Sequence, residues 1–256
     1  MPLDPTPLAG TVAVVIGGGD GIGAAIGQAL ADGGATVVLA GRDRDKLARA
    51  RDAATARDLD VHVATVDVTH VPSIGSLADE VTARFGGPTV LVNSAGASVT
   101  KPALEVTADD WDYVHAVSLR GTFFACQAFA ERMRPGGYGK IINLGSTWGA
   151  TVGVGRSTYA AAKAGVHHLT AALAAEWAPL GLRVNAIAPT TTRTPRVEQL
   201  YRTDPDRERY IVDRIPLGRI AEPADVTGAA LFLAGPASDF VTGHTLFVDG
   251  GWHRAK

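Results

Sequence analysis

Tyr159 and Lys163 stand four residues apart in an alanine-rich run, so a helix there would carry the phenol and the ammonium on one face. An ammonium beside a phenol favours the phenolate and draws the tyrosine pKa down from about 10, toward the range where it exchanges protons near neutral pH. Ser146, thirteen positions before Tyr159, follows the apolar run Ile141-Ile142-Asn143-Leu144, whose β-branched character and length suit a buried strand. A hydroxyl, a phenol and an amine in this order outline a site that gives a proton to an oxygen or takes one from it. Tyrosine and lysine at this spacing also occur on ordinary half-exposed helix faces, so the surrounding elements decide between the two readings.

Those elements begin with residues 11–16 (TVAVVI), a predicted strand that runs into Gly17-Gly18-Gly19-Asp20-Gly21-Ile22-Gly23 and then into an apolar helix. Strand, glycine turn and helix in that order set backbone N–H groups and a helix N-terminus where they can meet a phosphate; a plain tight turn has the same pattern. Further strands are expected at 36–40, 61–66, 89–92, 141–144, 184–188 and 246–248. Helices are expected at 71–85, 108–133, 158–177 and 224–233, with a more mobile polar segment over 189–214. This alternation predicts an α/β fold: a single doubly wound Rossmann domain over residues 1–256, with a parallel seven-stranded sheet and helices on both faces. Such sheets bind ligands at the carboxyl ends of their strands, which here carry the glycine turn, Asp67, Asn93, Ser146 and Pro189.

At the end of the second strand, Gly41 occupies the place where a carboxylate would bind the ribose hydroxyls of a dinucleotide, and Arg42 follows. A cation there suits a 2′-phosphate, which favours NADP(H) over NAD(H). Arg42 paired with Asp43 or Asp45 in a solvated, helix-capping stretch is the alternative.

The formal net charge of −2, from 24 Lys and Arg against 26 Asp and Glu mixed along the 256 residues, argues against nucleic acid or an anionic membrane as partner. A small molecule is expected instead. The lone Cys126 excludes an intrachain disulfide and, among Phe123, Phe124 and Phe129, reads as a packed core thiol. The opening MPLDPTPLAG has neither a basic region nor a long apolar run, and no later stretch reaches the ~18 apolar residues of a membrane span, so a cytoplasmic location is expected. His167 and His168 are neighbours that point in different directions, and no metal site is expected from them.

From about residue 8 to 252 the chain resembles the short-chain dehydrogenase/reductase family, including its 3-oxoacyl reductases. The resemblance rests on Gly17, Gly21 and Gly23, Asp67-Val68, Asn93-Ser94-Ala95-Gly96, Ser146, Tyr159 with Lys163, the run Arg183-Val184-Asn185-Ala186-Ile187-Ala188-Pro189, and Val248-Asp249-Gly250-Gly251. It implies a hydride exchanged between NADP(H) and a carbonyl or secondary alcohol, with Tyr159 as general acid/base. Ser146 would polarise the substrate oxygen, and Lys163 would tune Tyr159 and hold the nicotinamide ribose. A cofactor cradle follows from the same resemblance: Gly17, Gly19, Asp20, Gly21, Ile22 and Gly23 at the phosphates, Arg42 at the 2′-phosphate, and Asp67 and Val68 at the adenine. Asn93, Ala95 and Gly96 support it, with Tyr159, Lys163, Pro189, Thr192 and Thr194 at the nicotinamide end.

Three positions depart from the family pattern. Ile16 replaces a threonine before the glycine turn, and Thr190 replaces a glycine after Pro189. Ser118 replaces the asparagine that completes a water-linked proton relay to the lysine, and is expected to support that relay with a shorter side chain that holds the helix distortion less well. Retained turnover is one reading; a catalytically weakened NAD(P)-binding sensor or subunit is the other.

For the substrate, Trp148, Val152 and Val154 suit a hydrophobic or ring-containing carbonyl compound, with core packing the alternative, above all for Val152. Ketones, sugars, steroid-like alcohols and 3-oxoacyl thioesters all remain open. Arg156 is a candidate for an anionic substrate group or an exposed residue at a helix start, and 191–214 is expected to form a lid. The resemblance also implies a homotetramer, built through the helix bearing Phe123, Phe124 and Phe129 and the helix at 158–177.

Overall fold

The computed structural model describes residues 7–255; the first six residues of the leader and Lys256 lie outside the described residues. Seven parallel strands form one sheet in the order β3-β2-β1-β4-β5-β6-β7. They are β1 (Val12–Ile16), β2 (Thr36–Gly41), β3 (Val61–Thr65), β4 (Val90–Asn93), β5 (Gly139–Leu144), β6 (Leu182–Pro189) and β7 (Thr245–Val248). Strand order reverses between β1 and β4, whose register pairs Ile16 with Asn93 and so opens a crevice beyond their carboxyl ends.

Alternate residues along each central strand enter opposite cores, which is why these strands read as continuous apolar runs. Val14 and Ile16 pack on one face with residues of α3 (Val71–Phe85), α5 (Gly121–Met133) and α6 (Ser157–Trp177). Ala13 and Val15 pack on the other, against α1 (Gly21–Asp32), α2 (Arg44–Thr55) and α9 (Pro223–Ala234). The stretch after Arg42 is therefore a full amphipathic helix, α2, in which Asp43 is the N-cap and Leu47, Ala50 and Ala54 are buried.

Two expectations change. The helix at 108–133 is α4 (Ala108–His115) joined to α5 by a π-helical turn over Ala116–Arg120. Ser118 lies inside that turn, so the distortion survives without an asparagine. The polar segment after β6 contains two helices, α7 (Pro195–Thr203) and α8 (Pro205–Val212), capped by Thr194 and Asp204.

Buried polar groups lock the sheet to α6. Asn93 Nδ2 donates to Asn143 Oδ1 at 2.9 Å, and Asn143 Nδ2 donates to Thr170 Oγ1 at 3.0 Å. Cys126, fully buried beside both asparagines, has its thiol pushed up to about 12 by desolvation, as a core thiol should. Among the described residues, no helix is long and apolar enough to cross a membrane, and no cluster of His, Cys, Asp and Glu could hold a metal ion.

Candidate active site

The β1–α1 turn is the floor of the site. Gly17 adopts φ 86° and lies so close to the Ala95 backbone that a Cβ there would overlap it, so only glycine brings the turn this near the end of β4. Asp20 precedes α1 without capping it by a side-chain hydrogen bond; its carboxylate pairs instead with Lys46 Nζ at 2.7 Å. The first N–H groups of α1 thus face the groove, where the helix dipole favours an anion.

Two adjoining cavities continue from this floor. The first, about 300 Å³, lies between Gly17, Gly19 and Asp20 on one side and Arg42, Lys46, Asp67, Val68, Ala95 and Gly96 on the other. The second, about 290 Å³, runs past Gly21, Ile22 and Gly23 to Ser146, Tyr159, Lys163, Pro189 and Thr194. Asp43, which also lines this cavity, accepts from Lys46 N as the α2 cap, and Arg42 and the Asp20-paired Lys46 stand beside it at the rim. Glycine turn and adjoining cavities fit a nicotinamide dinucleotide, with Arg42 and Lys46 and the carboxylates of Asp20, Asp43 and Asp67 around the first cavity.

At the far end, Lys163 and Tyr159 rise from one face of α6. Lys163 is buried, and its ammonium donates to the Leu144 carbonyl at 2.5 Å; desolvation pulls its pKa down to about 8. Burial also raises the pKa of Tyr159, against the opposing pull of the Ser146 hydroxyl and the Arg156 and Arg196 guanidinium groups. The expectation that Lys163 would pull Tyr159 down is thus corrected: desolvation of the phenol dominates, and the cations acting on it are the two arginines. Lys163 Nζ sits 5.8 Å from the Tyr159 ring centroid.

Ser146 is held from behind. Its Oγ accepts from Trp148 N at 3.2 Å, and its own N–H donates to His167 Nε2 at 3.3 Å. Burial, aided by the Lys163 charge, depresses the His167 pKa to about 4, so the ring stays neutral and keeps the lone pair this contact needs. A side chain at Gly145 would strike the ring. His167 lies four residues beyond Lys163 and eight beyond Tyr159, a same-face spacing that carries the signal for this role.

Three expected site residues lie elsewhere or act differently. Asn93 lines neither cavity; its side chain enters the sheet network described above, so it fixes the end of β4. Ser118, 0% exposed, accepts from Ala97 N at 3.0 Å and donates to Ala97 O at 3.1 Å, which uses the hydroxyl to clamp the β4 loop; its carbonyl accepts from Thr122 Oγ1 at 3.0 Å. Thr192 is buried, donates to Thr190 O and faces a third cavity of about 220 Å³ shared by Ser146, Tyr159, Trp148 and the α7–α8 lid.

That third cavity revises the substrate expectation. Val152 and Val154 are 93% and 100% exposed and line neither it nor the core, because the 151–155 loop turns outward. Trp148 lines it as expected, together with Ile22, Val197, Leu200 and Ile211, and facing these stand Ser98, Thr190, Thr191, Thr192, Thr194, Tyr201, Arg156 and Arg207. Arg196, Tyr201 and Arg207 carried no distinguishing sequence signal, since a charged amphipathic lid helix reads as solvated.

Residues 17–253 match the family described as enoyl-(acyl carrier protein) reductase. Among curated proteins, galactitol 2-dehydrogenase (L-tagatose-forming) of Cereibacter sphaeroides is 42% identical, over 96% of this chain and 96% of its own length. The 2-dehydro-3-deoxy-D-gluconate 5-dehydrogenase of Escherichia coli is 38% identical over 98% and 99%. The crystal structure of a gluconate 5-dehydrogenase from Burkholderia cenocepacia, in complex with NADP and tartrate, superposes with a TM-score of 0.93 at 35% identity, covering 99% of both chains.

The folded His167 binds its proton only below about pH 4, whereas the unfolded ring takes one near 6.5. As pH falls from about 6.5 to about 4, unfolding therefore gains a proton at this ring and the protein loses stability. Urea unfolding across that window should give a smaller loss for His167→Gln than for the wild-type protein; parallel curves would remove His167 from this role.

Proposed function

The chain belongs to the short-chain dehydrogenase/reductase family and is an oxidoreductase, and from that premise we propose that it is an NADP(H)-dependent dehydrogenase in which Tyr159 exchanges a proton with the oxygen of a secondary alcohol or carbonyl. The observation that carries the reading is the convergence of Ser146, Tyr159 and Lys163 on one cavity at the end of a dinucleotide-sized groove. When bound, the nicotinamide supplies or accepts the hydride.

In the reductive direction, the Ser146 hydroxyl orients the carbonyl oxygen, and the Tyr159 hydroxyl gives up its proton as negative charge develops there. Burial keeps Tyr159 protonated until that moment. Lys163, with a pKa near 8, then returns the proton at physiological pH. In the oxidative direction the alcohol would lose its O–H proton to Tyr159 in its phenolate form and its C–H as hydride to the nicotinamide, leaving a carbonyl. The water-linked relay assigned to Ser118 is recast: its hydroxyl is held by Ala97, and Ser118 positions the loop beneath the cofactor groove.

The cofactor preference rests on Arg42 and Lys46. An exposed Lys46–Asp20 pair is worth about 0–1 kcal/mol, weak enough for Lys46 to turn to a 2′-phosphate beside Arg42. The polyol and sugar-acid relatives support a polyhydroxylated substrate over a steroid or a thioester. A nucleotide-binding subunit with little turnover is the second reading, favoured only by the loss of the Ser118 side chain from the relay.

Assembly is proposed to be a cytoplasmic homotetramer. Phe129 packs in the core, so it is removed from the interface, but Phe123, Leu173, Trp177 and Leu180 line an open groove between α5 and α6. The outer face of α6 exposes Ala161, Ala164, Ala171, Ala172 and Ala175. Light scattering should give four times the 26.5 kDa chain mass, and a stable monomer at micromolar concentration would exclude the assembly.

Tyr159→Phe should lower kcat with a panel of polyols and ketones at least about 100-fold, with cofactor affinity changed little. Unaltered turnover would sink the proton-transfer assignment. Arg42→Ala should raise the KM for NADPH about tenfold or more and that for NADH much less, whereas equal effects would remove Arg42 from phosphate binding.

A further inference from the structure

The third cavity holds a charge imbalance that the reaction itself does not use. Its lining includes Arg156 and Arg207 and no aspartate or glutamate, and Arg196 stands at the mouth of the adjoining cavity. Both lining arginines are partly buried. Among the described residues neither has a carboxylate within 4.0 Å. The acids of the lid are engaged elsewhere. Glu208 and Glu222 bind Arg193 at 2.8 and 3.0 Å, Glu198 lies between Arg193 and Arg202, and Asp204 caps α8 by accepting from Arg207 N.

With these acids bound to Arg193, no carboxylate lines the cavity beside the two arginines, although Glu208 lies near enough to act on Tyr201 in its wall. Burial and the charges of Arg207 and Arg196 together lower the pKa of Arg156, the direction expected of like charges held close with no counter-ion. Arg156 is also supported in place, its guanidinium lying 6.0 Å from the Trp148 ring, which is itself packed edge-on against Trp252. Two partly buried guanidinium forks facing one small space are complementary to a planar carboxylate, which accepts two parallel N–H donors.

We propose that Arg156 and Arg207 form a carboxylate subsite, so that the substrate is a small hydroxy acid or keto acid. Its anionic end is held under the lid while its reacting oxygen lies between Ser146 and Tyr159. The inference rests on the dehydrogenase reading for the reaction but not for the binding. Ser146 and Tyr159 line the same cavity as both arginines, so one short molecule spans from the proton donor to the anion site. The volume of about 220 Å³ lies below the range of drug-sized pockets, which fits a short polyhydroxylated acid. Thr190 and Thr191 in the cavity wall would meet the hydroxyl groups of such an acid, whereas Thr192, Thr194 and Ser98 are engaged with Thr190 O, Val197 N and Arg196.

The test pairs aldonates with the alditols of equal carbon number and compares kcat/KM for each pair with NADP⁺. The wild-type enzyme should prefer the aldonate by at least about tenfold, and Arg156→Gln and Arg207→Gln should each cut that preference at least about tenfold, through KM more than kcat. Arg156→Lys, which keeps the charge and loses the fork, should fall between, with circular dichroism reporting that the fold is intact. Aldonates carrying a terminal phosphate, used as a third arm, should be poorer than the plain acids; a preference for them would overturn the carboxylate assignment. In parallel, quenching of tryptophan fluorescence by succinate should be saturable in the wild-type protein and lost in Arg207→Gln. Succinate binding without turnover of any alcohol would keep the subsite and sink the dehydrogenase reading. Alditol turnover with no aldonate preference and no succinate binding would sink the subsite alone.

Discussion

The Lys163 ammonium, buried against the Leu144 carbonyl, is the contact on which the proposed chemistry depends. Taking an ammonium out of water costs several kcal/mol, while one hydrogen bond from a charged group returns about 1.5–3 kcal/mol. Desolvation therefore wins, and the pKa falls to about 8 without any neighbouring cation. The same bond ties the middle of α6 to the end of β5, and so fixes where the phenol of Tyr159 stands relative to Ser146. Charge and position are set by a single contact.

That contact works because the rest of the sheet end is rigid. The Asn93–Asn143–Thr170 chain of hydrogen bonds crosses from β4 through β5 to α6 in a buried setting, where leaving any one partner unpaired would cost about 1–3 kcal/mol. His167 braces Ser146 from the same helix, and Ser118 clamps Ala97 from the π-helical turn. The groove is thereby formed by loops that project from fixed strand ends on either side of the β1–β4 reversal, with one wall, the α7–α8 lid, held by an apolar cluster of Tyr201, Ile211 and Trp252 and by Arg193 with its three carboxylates.

Much of this was legible in the sequence, because the information was local. Six of the seven apolar runs ended in glycine, Asp67, Asn93, Ser146 or Pro189, and their order alone implied the parallel sheet; Tyr159 and Lys163 shared a face by spacing. What was not legible depended on partners distant in sequence. Nothing near Asn93 reveals that its amide meets Asn143 fifty residues on, or that Ser118 reaches Ala97 across a loop. Val152 and Val154 misled because an apolar side chain in a loop does not specify which way the loop turns. Arg207 looked like a solvated helix residue until the cavity gave it a direction, and the neighbouring acids proved to be bound to Arg193. The helix distortion around Ser118 is present without the expected asparagine, and the Ser118 hydroxyl within it binds Ala97.

The central claim is that burial tunes Lys163 so that the Tyr159–Lys163 pair passes a proton near neutral pH. The pH dependence of kcat/KM for alcohol oxidation, measured for the wild-type enzyme and Lys163→Arg, tests it most directly. The account predicts a rise through an apparent pKa near 8 in the wild type and its displacement upward by more than about one unit in the variant, whose guanidinium does not deprotonate. Identical profiles, or a wild-type profile that stays level until about pH 10, the range of an unperturbed lysine or tyrosine, would contradict it.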